Sequence, residues 1–103
     1  MIKLKNGYQA EFGTYYYNKK AIAIQVYKNE EPYWTATTYI EEYPYLFGEV
    51  TIKNYSENEG IEKVIEELLG PQIGWVTSGF VEVPVYQLKE EYIKIAKEVI
   101  SSE

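Results

Sequence analysis

The sequence predicts a single α+β domain over residues 1–103, built mainly of antiparallel sheet, with one central helix and one C-terminal helix. The chain has 103 residues, 46% of them hydrophobic, which suits one domain with a modest core. Apolar and polar residues alternate through most of the segment up to Ile40, as in antiparallel strands with one buried face. Two later stretches instead repeat apolar residues every three or four positions, which is helical spacing.

The first two strands are predicted around an Asn-Gly pair. Asn6-Gly7 favours positive φ at both residues and predicts a type I′ turn that opens an N-terminal meander. The second strand is predicted from Tyr8 to Tyr17, and a turn follows at Asn18-Lys19. The buried face of this strand is expected to hold the even positions Tyr8, Ala10, Phe12 and Tyr16.

Two more strands complete the predicted meander. The third runs from Ala21 to Tyr27, and its buried face holds Ile22, Ile24 and Val26. A loop at residues 28–32 leads to a strand from Tyr33 to Ile40, in which Trp34, Ala36 and Ile40 share one face. Tyr43-Pro44 begins the loop that follows.

The second half of the chain predicts helices and strands together. Gly48 to Lys53 is a short strand, with Val50 and Ile52 pointing inward. After Ser56, helical spacing predicts a central helix with an apolar series at Ile61, Val64, Ile65, Leu68 and Leu69. Gly70-Pro71 is the expected end of this helix.

The C-terminal third is predicted to contain a hairpin and a helix. Strands from Ile73 to Thr77 and from Phe80 to Leu88 flank Ser78-Gly79. Because Pro84 lacks the N–H that a central strand needs, its strand is expected to be an edge strand or to carry a bulge. A helix from about Lys89 to Ile100 follows, with a predicted apolar stripe of Tyr92, Ile95, Ala96 and Val99.

The composition disfavours most enzyme classes. The sequence contains no Arg, Asp, His or Cys, so the commonest general base and the most reactive nucleophile are both missing. We therefore expect no catalytic residues, no metal and no cofactor. An enzyme is the less favoured class, although the carboxylates leave an unusual hydrolase open.

Charge and hydropathy favour a protein partner in the cytoplasm. The net charge of -6 argues against direct contact with double-stranded nucleic acid, which is bound mainly through cations. An acidic surface can instead complement a basic patch on another protein. The N-terminus has neither a signal peptide nor a membrane anchor, and no apolar run is long enough to span a membrane, so no membrane contact is expected.

The densest polar cluster lies at the predicted junction of a strand and the central helix. It comprises Asn54, Tyr55, Ser56, Glu57, Asn58, Glu59 and Gly60. The favoured interpretation is a capping box, in which Ser56 and Glu59 satisfy each other's backbone N–H groups. A ligand-binding loop is the alternative, and Gly60 in the first helical turn hints at a close backbone approach. Glu57 and Glu59 point apart on one helical turn, which disfavours an acid and base pair.

Tyrosine is the second unusual feature, with 12 residues against three Phe. The meander would place five tyrosines, with Thr35 and Thr37, on the face opposite Ile22, Ile24 and Val26: Tyr15, Tyr17, Tyr27, Tyr33 and Tyr39. Cross-strand packing explains such a face, and a recognition surface that includes Tyr17 and Tyr33 is the alternative.

The third feature is the segment Thr77-Ser78-Gly79-Phe80-Val81-Glu82. A Ser before Gly could suggest a nucleophile, but the sequence has no His to activate it. A turn is therefore the better interpretation.

The two segments K-N-Y-S-E-N-E-G and S-G-F-V-E-V-P-V resemble a family of small uncharacterised proteins of phages and conjugative elements, many of them in Gram-positive bacteria. The resemblance covers Val50 to Leu88, and family members carry Asp or Asn at the position of Asn54. It implies a mobile-element accessory protein with no assigned activity, in which the helix after Leu88 is an addition. It also implies that residues 55–60 act as one spatial unit with Ser78, Gly79, Phe80 and Glu82.

Three functions follow as hypotheses. The leading one is a non-catalytic protein-binding module that acts through its acidic or Tyr-rich surface. The alternative is a small-molecule binder or an unusual hydrolase at the junction from Tyr55 to Gly60, which a deep pocket there would favour. A weaker third hypothesis is a binder of single-stranded nucleic acid that stacks bases on the tyrosine face. The sequence does not identify the partner or the oligomeric state.

Overall fold

The computed structural model describes residues 2–15, 18–53 and 65–101, which form two antiparallel sheets and one α-helix. This arrangement confirms a mainly antiparallel α+β fold. The elements are β1 (Ile2–Lys3), β2 (Tyr8–Tyr15), β3 (Asn18–Lys28), β4 (Glu31–Thr35), β5 (Glu49–Thr51), β6 (Leu69–Ser78), β7 (Val81–Leu88) and α1 (Glu90–Ser101).

The first sheet is the predicted meander, in the order β1-β2-β3-β4. Phe12 lies opposite Ile24, and Ala10 lies opposite Val26, so these apolar side chains form one buried face. The prediction that Ile22, Ile24 and Val26 are buried is confirmed. These three residues belong to a hydrophobic core that also includes side chains of the second sheet and of α1. The core comprises Ala10, Phe12, Ile22, Ile24, Val26, Ala36, Val50, Ile52, Ile65, Leu68, Leu88 and Ala96.

The turns of the meander agree with the sequence at Asn6-Gly7 and differ at Asn18-Lys19. Asn6 and Gly7 both have positive φ, at 58° and 79°, but Leu4 N–H donates to Tyr8 O, so the loop has three residues, Lys5–Gly7. The turn predicted at Asn18-Lys19 is wrong, because both residues belong to β3 and Asn18 lies opposite Tyr15. The Asn18 side chain instead accepts a hydrogen bond from Lys20 N–H, beside a register shift.

The chain leaves the first sheet earlier than predicted. The strand expected from Tyr33 to Ile40 ends at Thr35, and residues 36–38 cross to the second sheet. Ala36 N–H donates to Ile24 O on β3, while Lys53 N–H donates to Ala36 O and Thr38 N–H donates to Thr51 O. Residues 36–38 therefore have β3 on one side and the strand that contains β5 on the other.

The second sheet has the order β5-β7-β6, so β7 is its central strand. The prediction that the strand of Pro84 is an edge strand or is bulged there is wrong. Ile52 N–H donates to Pro84 O, and Pro84 has no N–H to donate in return. Since β5 itself ends at Thr51, the missing donor falls where the ladder on that side stops.

The predicted central helix falls mostly on residues 54–64, which lie outside the described residues, as does the capping box of Ser56 and Glu59. Ile65 and Leu68 are buried, as its apolar series predicts. Its expected end at Gly70-Pro71 is wrong, because both residues belong to β6. A Cβ on Gly70 would lie 2.8 Å from Gln87 O, so this glycine permits close approach of two strands.

The C-terminal helix agrees with its predicted bounds to within one residue. Its buried side holds Ala96, with Tyr92, Ile93 and Ile100 packed against the core. Ile95, predicted on this side, is 37% exposed, because the helix is rotated so that Ile93 packs beside Gly48. Over residues 2–15, 18–53 and 65–101, no helix has the length and apolar character needed to cross a membrane.

We expect Thr37→Val to lower the free energy of unfolding by about 2 kcal/mol, because it leaves a buried N–H without a partner. The Thr37 Oγ1 accepts from Ile24 N–H at 3.1 Å, and the side chain is 2% exposed. Urea denaturation measures the change. The matched control is Thr35→Val, whose exposed hydroxyl bonds to Gln25 and whose loss should change stability by less than about 0.5 kcal/mol. Equal losses in the two variants would contradict this role for Thr37.

Candidate functional site

The predicted polar cluster from Asn54 to Gly60 lies outside the described residues, but the chain on either side of it is described. Lys53 and Ile65, with Glu66 and Tyr86, contribute to the wall of a cleft of about 270 Å³. The remaining described lining is Ile52, Leu69, Gly70 and Pro84. The described part of this lining therefore combines apolar side chains with one cation, one carboxylate and one phenol.

The predicted tyrosine face divides into two separate groups. Tyr17 lies outside the described residues. Tyr33 contacts Tyr8 edge to face, with ring centroids 5.5 Å apart, and Lys28 Nζ lies 5.1 Å from the Tyr8 centroid and 5.7 Å from that of Tyr33. The prediction that Tyr33 shares a face with Tyr15 is wrong, because a register shift between Val26 and Tyr27 inserts an extra residue in β4.

The second group is a tyrosine cluster of Tyr15, Tyr39, Tyr43 and Tyr45. The ring centroids of Tyr15 and Tyr39 are 4.9 Å apart, those of Tyr39 and Tyr45 are 5.6 Å apart, and those of Tyr43 and Tyr45 are 4.8 Å apart. Tyr43 and Tyr45 had no place in the predicted face, since they belong to the loop before β5. Because Tyr43-Pro44-Tyr45 lies in a loop, it has no strand periodicity from which the positions of these two rings could be predicted.

Hydrogen bonds tie the tyrosine cluster to the junction of the sheets. Thr51 Oγ1 donates to Thr38 O, so Tyr45 Oη must donate to Thr51 Oγ1, at 2.7 Å. Tyr45 Oη also accepts from Ile40 N–H at 3.0 Å. Nearby, Tyr43 Oη donates to Glu49 Oε1 at 3.2 Å. In the part of the chain that the structure describes, no buried side-chain polar atom lacks a partner, which indicates a structural role for this cluster.

Burial shapes the ionisation of two tyrosines in the cluster. Desolvation raises the pKa of Tyr15, the nearby Tyr45 adds to the rise, and the hydrogen bond with Thr37 opposes it. Desolvation is also the main cause of a raised pKa for Tyr43, with the Glu49 carboxylate second. Neither hydroxyl is prepared to act as a base at neutral pH.

The hairpin of β6 and β7 carries four exposed apolar side chains, more than any other element that the structure describes. Phe80 is fully exposed at its tip, Trp75 is 57% exposed and Ile73 is 47% exposed, and Val81 is also exposed. We call these four side chains the hairpin patch. The four do not share one face: Trp75 lies opposite Pro84, whereas Val81 lies opposite Ser78, on the face that holds Val83 and Val85. The end of the hairpin therefore exposes apolar side chains on both of its faces and at its tip.

Four predicted site residues meet at the tip of this hairpin. Gly79 and Phe80 form the two-residue turn, with Gly79 at a φ of 62°, and Ser78 lies opposite Val81. Glu82 is exposed and lies opposite Thr77. The predicted turn is confirmed, and its glycine supplies the positive φ that other residues rarely adopt.

The segment of sequence that contains the hairpin patch carries charge of one sign. Residues 64–88 contain three Glu and no Lys, and β6 itself has no charged residue. Among the residues that the structure describes, no three acidic side chains come together as metal ligands. The hairpin therefore offers apolar contact, backbone groups and negative charge.

Comparison with protein-family models, with curated proteins and with solved structures finds no match for this chain. The resemblance to a phage and conjugative-element family thus stays a prediction. The evidence for a candidate site is therefore the geometry of the hairpin of β6 and β7.

We expect stability to fall as pH rises above about 10, in part because folding raises the pKa of Tyr15 above its ordinary value of 10.0. The folded protein then holds a proton that the unfolded chain releases, so the contribution is complete below pH 10 and is lost above it. Tyr15→Phe should be less stable at pH 7 yet show a shallower alkaline loss. Tyr43 and Tyr92, whose pKa values are also raised, would sustain the remaining loss.

Urea midpoints from pH 8 to pH 11.5, for wild type and Tyr15→Phe, measure this dependence. Identical alkaline slopes for the two proteins would contradict the assignment of a raised pKa to Tyr15.

Proposed function

We propose that this chain is a non-catalytic protein-binding module, a cytoplasmic accessory protein of a phage or conjugative element, and that it binds through the hairpin patch. The observation that carries the proposal is the exposure of Trp75 and Phe80 on one hairpin, which holds four of the seven exposed large apolar residues in the described part of the chain. The tyrosine cluster, by contrast, is bonded into the fold.

The hairpin patch has the residue types of an energetic contact. Trp and other aromatic residues dominate the binding energy of protein interfaces, because they bring a large area with few rotatable bonds. Complete burial of a side chain such as that of Phe80 contributes about 1.5 to 3 kcal/mol. Trp75 on one face of the hairpin and Phe80 at its tip supply two aromatic anchors, and Val81 adds apolar area on the other face.

Charge restricts the partner. The chain carries a net charge of -6, and Glu82 lies next to the tip of the hairpin, in a segment from residue 64 to 88 that contains no lysine. A basic surface on the partner would be steered toward this hairpin, and the steering would weaken as salt is added. The motifs around Lys53 and Ser78 support the mobile-element assignment, within which the partner is a host protein or another protein of the element.

A second candidate function, binding of a small molecule or an unusual hydrolysis, has one observation in its favour. A cleft is lined by Lys53 and Glu66, which lie on either side in sequence of the segment from Tyr55 to Gly60, where a deep pocket would favour this function. Its volume of about 270 Å³ is near the lower limit of ordinary ligand pockets, about 300 Å³. Tyr86 and Lys53 could orient a small anion there.

The first proposal is tested by site-specific crosslinking. A photoreactive amino acid at position 80, in cells that carry the source element, should yield one dominant crosslinked partner, identified by mass spectrometry. The matched control places the same amino acid at position 46, because Leu46 is also an exposed apolar residue, at 66%, and lies on a different loop.

Quantitative binding to the captured partner then separates the two surfaces. Phe80→Ser should weaken the affinity by at least about tenfold, the equivalent of 1.4 kcal/mol, whereas Leu46→Ser should leave it unchanged. Crosslinking with the same protein from both positions, or from neither, would contradict binding through the hairpin patch. In that case a fragment screen compared between wild type and Lys53→Ala becomes the test of the cleft.

A further inference from the structure

The free edges of the two sheets differ in how well they are protected. β1 has two residues, one of them Lys3, and β4 carries Glu31, Pro32 and an inserted residue. The outer side of β5 is occupied by residues 36–38. Charge, proline, bulges and short length are the usual ways of keeping a strand edge from pairing with another chain.

The edge of β6 has the least of this protection. Within the described residues β6 pairs with β7 alone, and it is ten residues long and uncharged. Pro71 and two register shifts interrupt its first half, but from Gly74 to Ser78 the pairing with β7 is regular. This regular stretch contains Trp75, one of the exposed aromatic residues of the hairpin patch.

The backbone groups that face outward from β6 follow from one hydrogen bond. Because Ile52 N–H donates to Pro84 O, the even residues of β7 face β5, and Val81, Val83 and Val85 face β6. Their partners on β6 are Ser78, Val76 and Gly74, whose backbone groups point inward. The N–H and C=O groups of Trp75 and Thr77 therefore project from the free edge.

We propose that β6 accepts an extended segment of a partner protein as an added strand, and that this segment has apolar residues at its centre and lysine or arginine at its ends. The inference rests on the proposed function, and it names how the partner binds. Strand addition takes its affinity from main-chain hydrogen bonds and its specificity from alternate side chains, here beside Ile73 and Trp75.

Charge identifies the chemistry of the segment. Glu82 lies opposite Thr77 at one end of the open edge, and the chain as a whole carries a net charge of -6. Glu66 and Glu67 precede β6 at its other end, where Lys53 lines the same cleft as Glu66 and Lys89 N–H donates to Leu68 O. Basic residues at both ends of an added strand would meet these carboxylates. A second copy of this chain would instead bring the same acidic, lysine-free stretch and a second net charge of -6. A basic partner segment is therefore favoured over self-association.

The probe is a set of three synthetic ten-residue peptides with the same alternating valine and threonine core. One has two lysines at each end, the second has two glutamates at each end, and the third has lysines at the ends and proline at two central positions. Titration into the full-length protein, followed by the change in tryptophan fluorescence and by backbone NMR shifts, measures affinity and site. We expect the lysine peptide to bind at least about tenfold more tightly than either other peptide, and less tightly at higher salt.

One pair of variants tests the edge itself. Thr77→Pro removes an outward N–H without removing any hydrogen bond to β7, whereas Thr77→Val has a β-branched side chain of similar shape and keeps the N–H. Thr77→Pro should bind the lysine peptide about tenfold more weakly than Thr77→Val, by loss of one hydrogen bond and of strand geometry. Urea denaturation checks that both variants are folded, and Trp75→Pro is the second variant if Thr77→Pro unfolds.

The outcomes separate this inference from the proposed function. If no peptide binds, or if Thr77→Pro and Thr77→Val bind equally, strand addition is wrong, while capture of a partner through Phe80 would still stand. Equal binding of the lysine and glutamate peptides overturns the basic segment. A dimer in sedimentation that Thr77→Pro converts to monomer would show that a second copy occupies the edge, which also overturns the proposal.

Discussion

The two sheets of this protein are joined at residues 36–38, and Thr37 holds that junction together. Its backbone bridges to Ile52 in the second sheet, while its hydroxyl accepts from Ile24 N–H in the first and bonds to Tyr15 Oη at 2.8 Å. Without the Thr37 hydroxyl, the buried Ile24 N–H would have no hydrogen-bond partner, and burying an unpaired N–H costs free energy. The core can therefore run from one sheet to the other without a break.

The order of the second sheet is tied to this junction. Residues 36–38 occupy one side of the strand that contains β5, so the rest of the sheet extends on the other side, through β7 and then β6. The tyrosine cluster packs around the same junction, and its hydroxyl groups form hydrogen bonds with Thr37, Thr51 and Glu49. Within the second sheet the strand furthest from the junction is β6, and the hairpin patch lies on β6, on its turn to β7 and at the first residue of β7. The candidate site is thus a consequence of how the sheets are joined.

Local patterns predicted the elements whose causes are local. Alternation located the buried face at Ile22, Ile24 and Val26, because one sheet face is enough to generate it. Positive φ at Asn6 and Gly79 was predictable from turn chemistry. The helix from Glu90 followed from its spacing, although the side that packs was misjudged at Ile95, because the position of Gly48 beside Ile93 depends on tertiary structure.

The remaining elements depend on which strands pair with each other, and a local sequence pattern does not show that pairing. Gly70-Pro71 has the chemistry of a helix end, yet a close approach to Gln87 places it in a strand. Pro84 suggests an edge, yet it lies in the central strand at the point where β5 stops. Of the candidate site, the sequence identified the tip from Ser78 to Glu82, but it did not identify Ile73 and Trp75, whose exposure depends on β6 being outermost. The sequence predicted a strand from Ile73 to Thr77 without assigning either residue to a face.

Among the described residues β6 pairs with β7 alone, and amide hydrogen exchange of the free protein tests most directly whether its other edge is open. We expect slow exchange at Gly74 and Val76, whose N–H groups face β7, and fast exchange at Trp75 and Thr77, whose N–H groups face outward, in strict alternation. Uniform slow exchange across these four amides would mean that the edge is already covered, and would contradict strand addition at β6.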